Sequence, residues 1–100
     1  MKDYTMKMTE DQREYYLDEV RNRTYALKAL QLLSETGTDR ELLHYERQLG
    51  YHDGQMLALR RLFPGDCAAI DKSDATHDAK LEGERIARLL YETEANDEEA

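Results

Sequence analysis

The chain has 100 residues, 36% of them charged, a formal net charge of −8 and a mean hydropathy of −0.90. A chain this short buries only about 60 to 70% of its unfolded surface, so its own core is thin and completion by a second chain is expected. A single cysteine, Cys67, excludes an internal disulfide, no apolar run approaches the roughly 18 residues of a membrane span, and the negative balance opposes general nucleic-acid binding.

The charge is uneven. Residues 1–63 carry ten Lys and Arg against eleven Asp and Glu, whereas residues 64–100 carry four against eleven. With one Pro, five Gly and long stretches of Leu, Ala, Glu, Arg and Lys, the composition predicts an all-α protein. The first twelve residues lack the apolar stretch of a signal peptide, so a reducing cytoplasm is the expected setting.

In chain order, Thr9 followed by Glu10, Asp11 and Gln12 forms a capping box and opens a first helix over about 10–35. Gly37 is expected to close it in a left-handed conformation, and Thr38 with Glu41 forms a second capping box for a helix over about 39–63. A connection of two or three residues predicts an antiparallel two-helix hairpin. Pro64 ends the second helix, and residues 64–72 read as a linker with room for one turn at Cys67–Ile70. A third helix follows over about 73–93, giving a single helical domain over 1–93, and the acidic residues 94–100 read as a disordered tail.

Apolar spacing assigns a face to each helix. Leu42, Tyr45, Leu49, His52, Met56, Leu59 and Phe63 recur every three or four residues and form one seam. Leu17, Val20, Thr24, Leu27 and Gln31 form the facing seam on the first helix, widened by Tyr16 and Leu30. Residues 25–33, YALKALQLL, are apolar on nearly every side, so a second apolar face is predicted there. On the first helix that face comprises Ala26, Ala29, Leu32 and Leu33; on the second it comprises Leu43, Gly50, Gly54 and Leu57. The spacing of Gly50 and Gly54 suits close approach by another backbone. The stripe of Ala79, Gly83, Ile86 and Leu90 on the third helix looks too narrow to cover both faces, which predicts assembly into a homo-oligomeric helical bundle.

The chemistry-bearing residues are few. Glu41 with His44 and Asp74 with His77 have the spacing of metal-binding helices, but their phase points them away from the seams, and no metal or other cofactor is expected. His52 falls inside the seam, level with Arg23 and Thr24, as a polar layer that sets register. A ligand cleft built from Arg23, Tyr25, Tyr51 and His52 is the sharper alternative. A second basic group comprises Arg13, Arg60 and Arg61, placed either to dock the acidic third helix or to hold an anion. No nucleophile motif or phosphate loop is present.

In size and helical architecture the chain resembles small phage-encoded proteins, including inhibitors of host defence and nucleotide-sequestering hairpins; the resemblance carries no site residues. Three functions are expected from these features. The first is a non-enzymatic oligomer acting by protein–protein binding, as an inhibitor or adaptor. The second is a binder of an anionic small ligand, namely a nucleotide, at the Arg, His and Tyr cleft. The third makes Asp71, Asp74, Asp78, Glu82, Glu84, Glu92, Glu94, Asp97, Glu98 and Glu99 a mimic of nucleic acid.

Overall fold

The computed structural model describes the backbone of residues 7–99 and the side chains of residues 7–92. It is all-helical over the described residues, in the order α1 (Glu10–Leu33), α2 (Asp39–Leu62), α3 (Pro64–Asp71) and α4 (Asp74–Glu99). Among the described residues no helix is long and apolar enough to cross a membrane.

Local chemistry accounts for the helix starts. The Thr9 hydroxyl accepts a hydrogen bond from the Gln12 amide while the Gln12 side chain accepts one from the Thr9 amide, so two orphan donors of α1 are satisfied together. Thr38 and Glu41 repeat this at α2. Residues 34–38 make a longer connection than the two or three expected. Gly37 serves it differently from a left-handed cap, because its φ is not positive. Its amide bonds the Leu33 carbonyl at 2.8 Å, and a Cβ there would come within 2.8 Å of that oxygen. Close approach, not handedness, is what calls for glycine.

Two segments depart from expectation. Residues 64–71, read as a linker, form α3: Pro64 cannot continue α2, but its fixed φ suits the first turn of a new helix. Phe63, at φ −131° and ψ 60°, caps both helices. Residues 94–99, read as a disordered tail, continue α4 in their backbone, while Ala100 lies outside the described residues. That stretch contains neither Gly nor Pro, and Glu and Ala propagate a helix already nucleated upstream.

Helix α1 is central. It packs along both α2 and α4, whereas α2 and α4 touch each other little. Tyr15 pairs with Gln55, Glu19 with His52 and Tyr25 with Tyr45, so numbers on α2 fall as those on α1 rise. On α4, by contrast, Ala79 joins the cluster around Tyr16 and Val20, Gly83 meets residues 21–25, and Tyr91 packs on the cluster around Ala29 and Leu33. Thr76, Ala79, Gly83 and Ala87 line the buried side of α4. A Cβ at Gly83 would fall 2.5 Å from the Arg21 carbonyl oxygen, so only a glycine permits this closeness.

That closeness corrects the assignment of the second apolar face. Ala26, Ala29 and Leu33 are buried within the chain, packed with Tyr45 and flanked by Tyr25, Leu30, Leu42, Leu49 and Tyr91. The narrow stripe on α4 covers α1 because its small side chains let the two backbones approach. The α1 seam is also rotated from the expected one: Tyr16, Glu19, Val20, Ala26 and Leu33 are buried, while Gln31 is exposed. On α2 the buried residues are Tyr45, His52 and Met56, with Leu42, Leu49 and Leu59 half-buried.

Candidate functional site

Three local environments carry chemistry, and each is built from facing helix positions. The first is the polar layer between the two apolar clusters. His52 Nδ1 lies 2.8 Å from Glu19 Oε1, with both side chains buried. Thr24, the expected partner, instead donates its hydroxyl to the Val20 carbonyl at 2.8 Å. Glu19, a little over one turn before Thr24 on α1, is the residue that reaches His52, while Arg23 meets the neighbouring Asp53. A heptad reading passes over Glu19 because a glutamate is ordinarily assigned to solvent. The signal available was His52 itself, a buried polar group that requires a partner.

The second environment is a chain of phenol hydroxyls. Tyr25 and Tyr45 hydroxyls lie 3.0 Å apart, and Tyr45 is also hydrogen-bonded to Tyr91. The rings meet edge to face, with centroids 5.7 and 6.1 Å apart. Fully buried Ala29 belongs to the same cluster. Burial pushes the Tyr45 and Tyr91 phenols above their ordinary pKa; for Tyr45 the hydrogen bonds to the two other phenols add to that shift. A cavity of about 350 Å³ opens beside this chain, lined by Tyr25, Tyr45, His44, Gln48 and His52. His44 is exposed and stacks edge-on against Tyr45 at 4.9 Å.

A second cavity of about 350 Å³ forms the third environment, where α1, α2, α3 and α4 meet. Arg23, Arg60 and Lys80 contribute its cations and Asp53 and Asp71 its anions, over a floor containing Val20 and Met56. Arg23 pairs with Asp53. Arg60 donates to the Tyr16 hydroxyl at 2.9 Å, and that hydroxyl donates to Asp71 Oδ1 at 2.7 Å. Burial and the bond to Asp71 push the Tyr16 phenol up to about 12. The arrangement ties the most buried aromatic of α1 to α2 and α3. Cys67, a free thiol in the same cluster, is also raised by burial.

The residues expected to form one cleft are therefore divided. Arg23 lines one cavity, together with Arg60 of the second basic group, and Tyr25 and His52 line the other. Tyr51 is exposed and packs edge-on against His52 with centroids 5.2 Å apart. Arg13 and Arg61 are exposed and line neither cavity. Lys80 was missed because an exposed lysine on an acidic helix carries no pattern of its own. The partner of Arg60 is Asp71, not a carboxylate of α4. Of the acidic series, Asp74, Asp78, Glu82 and Glu92 are exposed, and the side chains of 94–99 lie outside the described residues.

Among the remaining interface candidates, Leu32 is half-buried while Leu43, Gly50, Gly54 and Leu57 are exposed. A Cβ built at Gly50 or Gly54 would meet nothing within 4 Å. Glu41 is committed to its helix cap, and no group of three or more His, Cys, Asp or Glu side chains is placed to hold a metal ion among the described residues. Comparison with protein-family models, curated proteins and solved structures finds no match to this chain.

Proposed function

We propose that the protein is a non-enzymatic, homo-oligomeric helical protein that acts by protein–protein binding in the cytoplasm, as an inhibitor or adaptor, with the outer face of α2 as its contact surface. One observation carries this reading: Leu43, Tyr51, Leu57 and Leu62 are each about half exposed on α2, around two glycines with open space beyond them. A helix of 24 residues does not need two interior glycines for its own sake, since each costs about 1 kcal/mol relative to Ala. Room for another backbone offsets that cost.

The occupant we assign is a second copy. Antiparallel pairing about the midpoint of Gly50 and Gly54 sets each glycine opposite the other's counterpart. It also brings Tyr51 next to its symmetry mate and Glu46 within one helical turn of Arg61 in the second copy. The surface is thus complementary to itself in shape and charge. Analytical ultracentrifugation of the full chain at micromolar concentration tests the proposal. A dimer or larger species is expected, and Leu57→Asp should reduce it to a monomer of unchanged helicity by circular dichroism. A monomer at every concentration, or a Leu57→Asp variant of undiminished mass, refutes this face as the contact.

A further inference from the structure

We infer that the cavity between Arg23, Arg60 and Lys80 is a binding site for a small sugar phosphate. This goes beyond the oligomer reading and is independent of it, because the cavity lies on the inner side of α2. The volume of about 350 Å³ falls in the range of about 300 to 1,000 Å³ typical of ligand sites. In a chain of net charge −8, three cations from three different helices line this one cavity. Such convergence is what recognition of a phosphate requires.

The cations are available. Arg23 and Asp53 have side-chain exposures of 37% and 51%, and Arg60 and Asp71 of 47% and 37%, so both pairs are exposed ones of the kind that contribute little stability. An arriving phosphate can take over either guanidinium at small cost. Lys80 has no carboxylate within 4 Å among the described residues.

The remaining lining defines the rest of the ligand. Asp53 and Asp71 are acceptors, and the hydroxyls of Thr24 and Thr76 already donate to the Val20 and Ile70 carbonyls, so they too offer lone pairs. A ligand that places several hydroxyl donors beside one phosphate satisfies that set. A nucleobase would need an aromatic face to stack on, and the cavity lining includes no aromatic side chain. The tyrosines that could serve a base lie at the other cavity.

Isothermal titration calorimetry on the full chain, with ribose 5-phosphate, glucose 6-phosphate, ribose, inorganic phosphate and adenosine monophosphate as probes, tests the inference. At least one sugar phosphate should bind more tightly than both ribose and inorganic phosphate, with an affinity that falls as salt is raised. Lys80→Ala and Arg23→Gln, both at positions outside the apolar clusters, should each weaken it roughly tenfold while leaving the circular dichroism spectrum unchanged. Leu57→Asp should leave it unaffected, which separates this site from the oligomer contact. No heat from either sugar phosphate at millimolar concentration overturns the inference, as does equal binding of inorganic phosphate or tighter binding of adenosine monophosphate. Binding that is indifferent to both substitutions places the ligand elsewhere and equally overturns it.

Discussion

Helices α1 and α2 are built from the same instructions and end in opposite situations. Each has 24 residues, each opens on a Thr capping box, and each carries apolar side chains on more than one face. Yet Ala26, Ala29 and Leu33 of α1 are core, while Leu43, Leu57 and Leu62 of α2 stand half exposed. The difference lies in neighbours. α4 lies along α1, meets α2 only at a few points such as Tyr91 against Tyr45, and leaves the outer face of α2 uncovered. Hydrophobic excess alone therefore does not locate an interface; it shows only that some second surface is required.

The largest test of this contrast is a charge placed on each face. Leu33→Asp buries a carboxylate among Ala29, Tyr45 and Leu30, which costs several kcal/mol, and thermal denaturation should show a chain largely unfolded near room temperature. Leu43→Asp, at a site 46% exposed, should shift monomer stability by no more than about 0.5 kcal/mol. Equal effects would mean that the two helices are not differently covered.

A smaller effect comes from one substitution made twice. Gly83→Ala forces a methyl against the Arg21 carbonyl and should destabilise the chain by about 1 to 3 kcal/mol as α4 is pushed from α1. Gly54→Ala has open space and should stabilise the monomer by up to about 1 kcal/mol while weakening self-association. Urea titration at low protein concentration measures both, and a matching sign would contradict the asymmetry.

Smaller still is Tyr91→Phe, which removes one end of the hydroxyl chain that links α4 to Tyr45 on α2. A loss of about 0.5 to 1.5 kcal/mol is expected from a single hydrogen bond. Alkaline pH probes the opposite end of α1. The Tyr16 phenol is pushed up to about 12, so the folded chain holds that proton more tightly than the unfolded one. Its contribution is fully present below pH about 10, the ordinary phenol value, and is lost as pH rises from there through about 12. Stability measured across that window should fall in the wild type, and fall less in Tyr16→Phe.

How much was legible depends on the range of the interaction. Both capping boxes were readable because Thr9 with Gln12, and Thr38 with Glu41, act across three residues. Pro64 was readable as the end of α2 but not as the start of α3, since a proline at a helix boundary serves either purpose. Arg23, Tyr25 and His52 were grouped into one cleft because helical spacing sets their level along the hairpin, but the side of α1 from which each side chain leaves divides them between two cavities.

The amino-acid sequence by itself determined the helical class, the two capped starts and the proline break, all of which follow from backbone propensities and contacts within one turn. Only the tertiary structure decided that Glu19 is the partner of His52 and that Arg23 and Lys80 share a cavity. It alone decided that YALKALQLL is covered by its own chain. These outcomes depend on how closely α4 can approach α1, and a glycine at position 83 permits a separation that the width of an apolar stripe does not reveal.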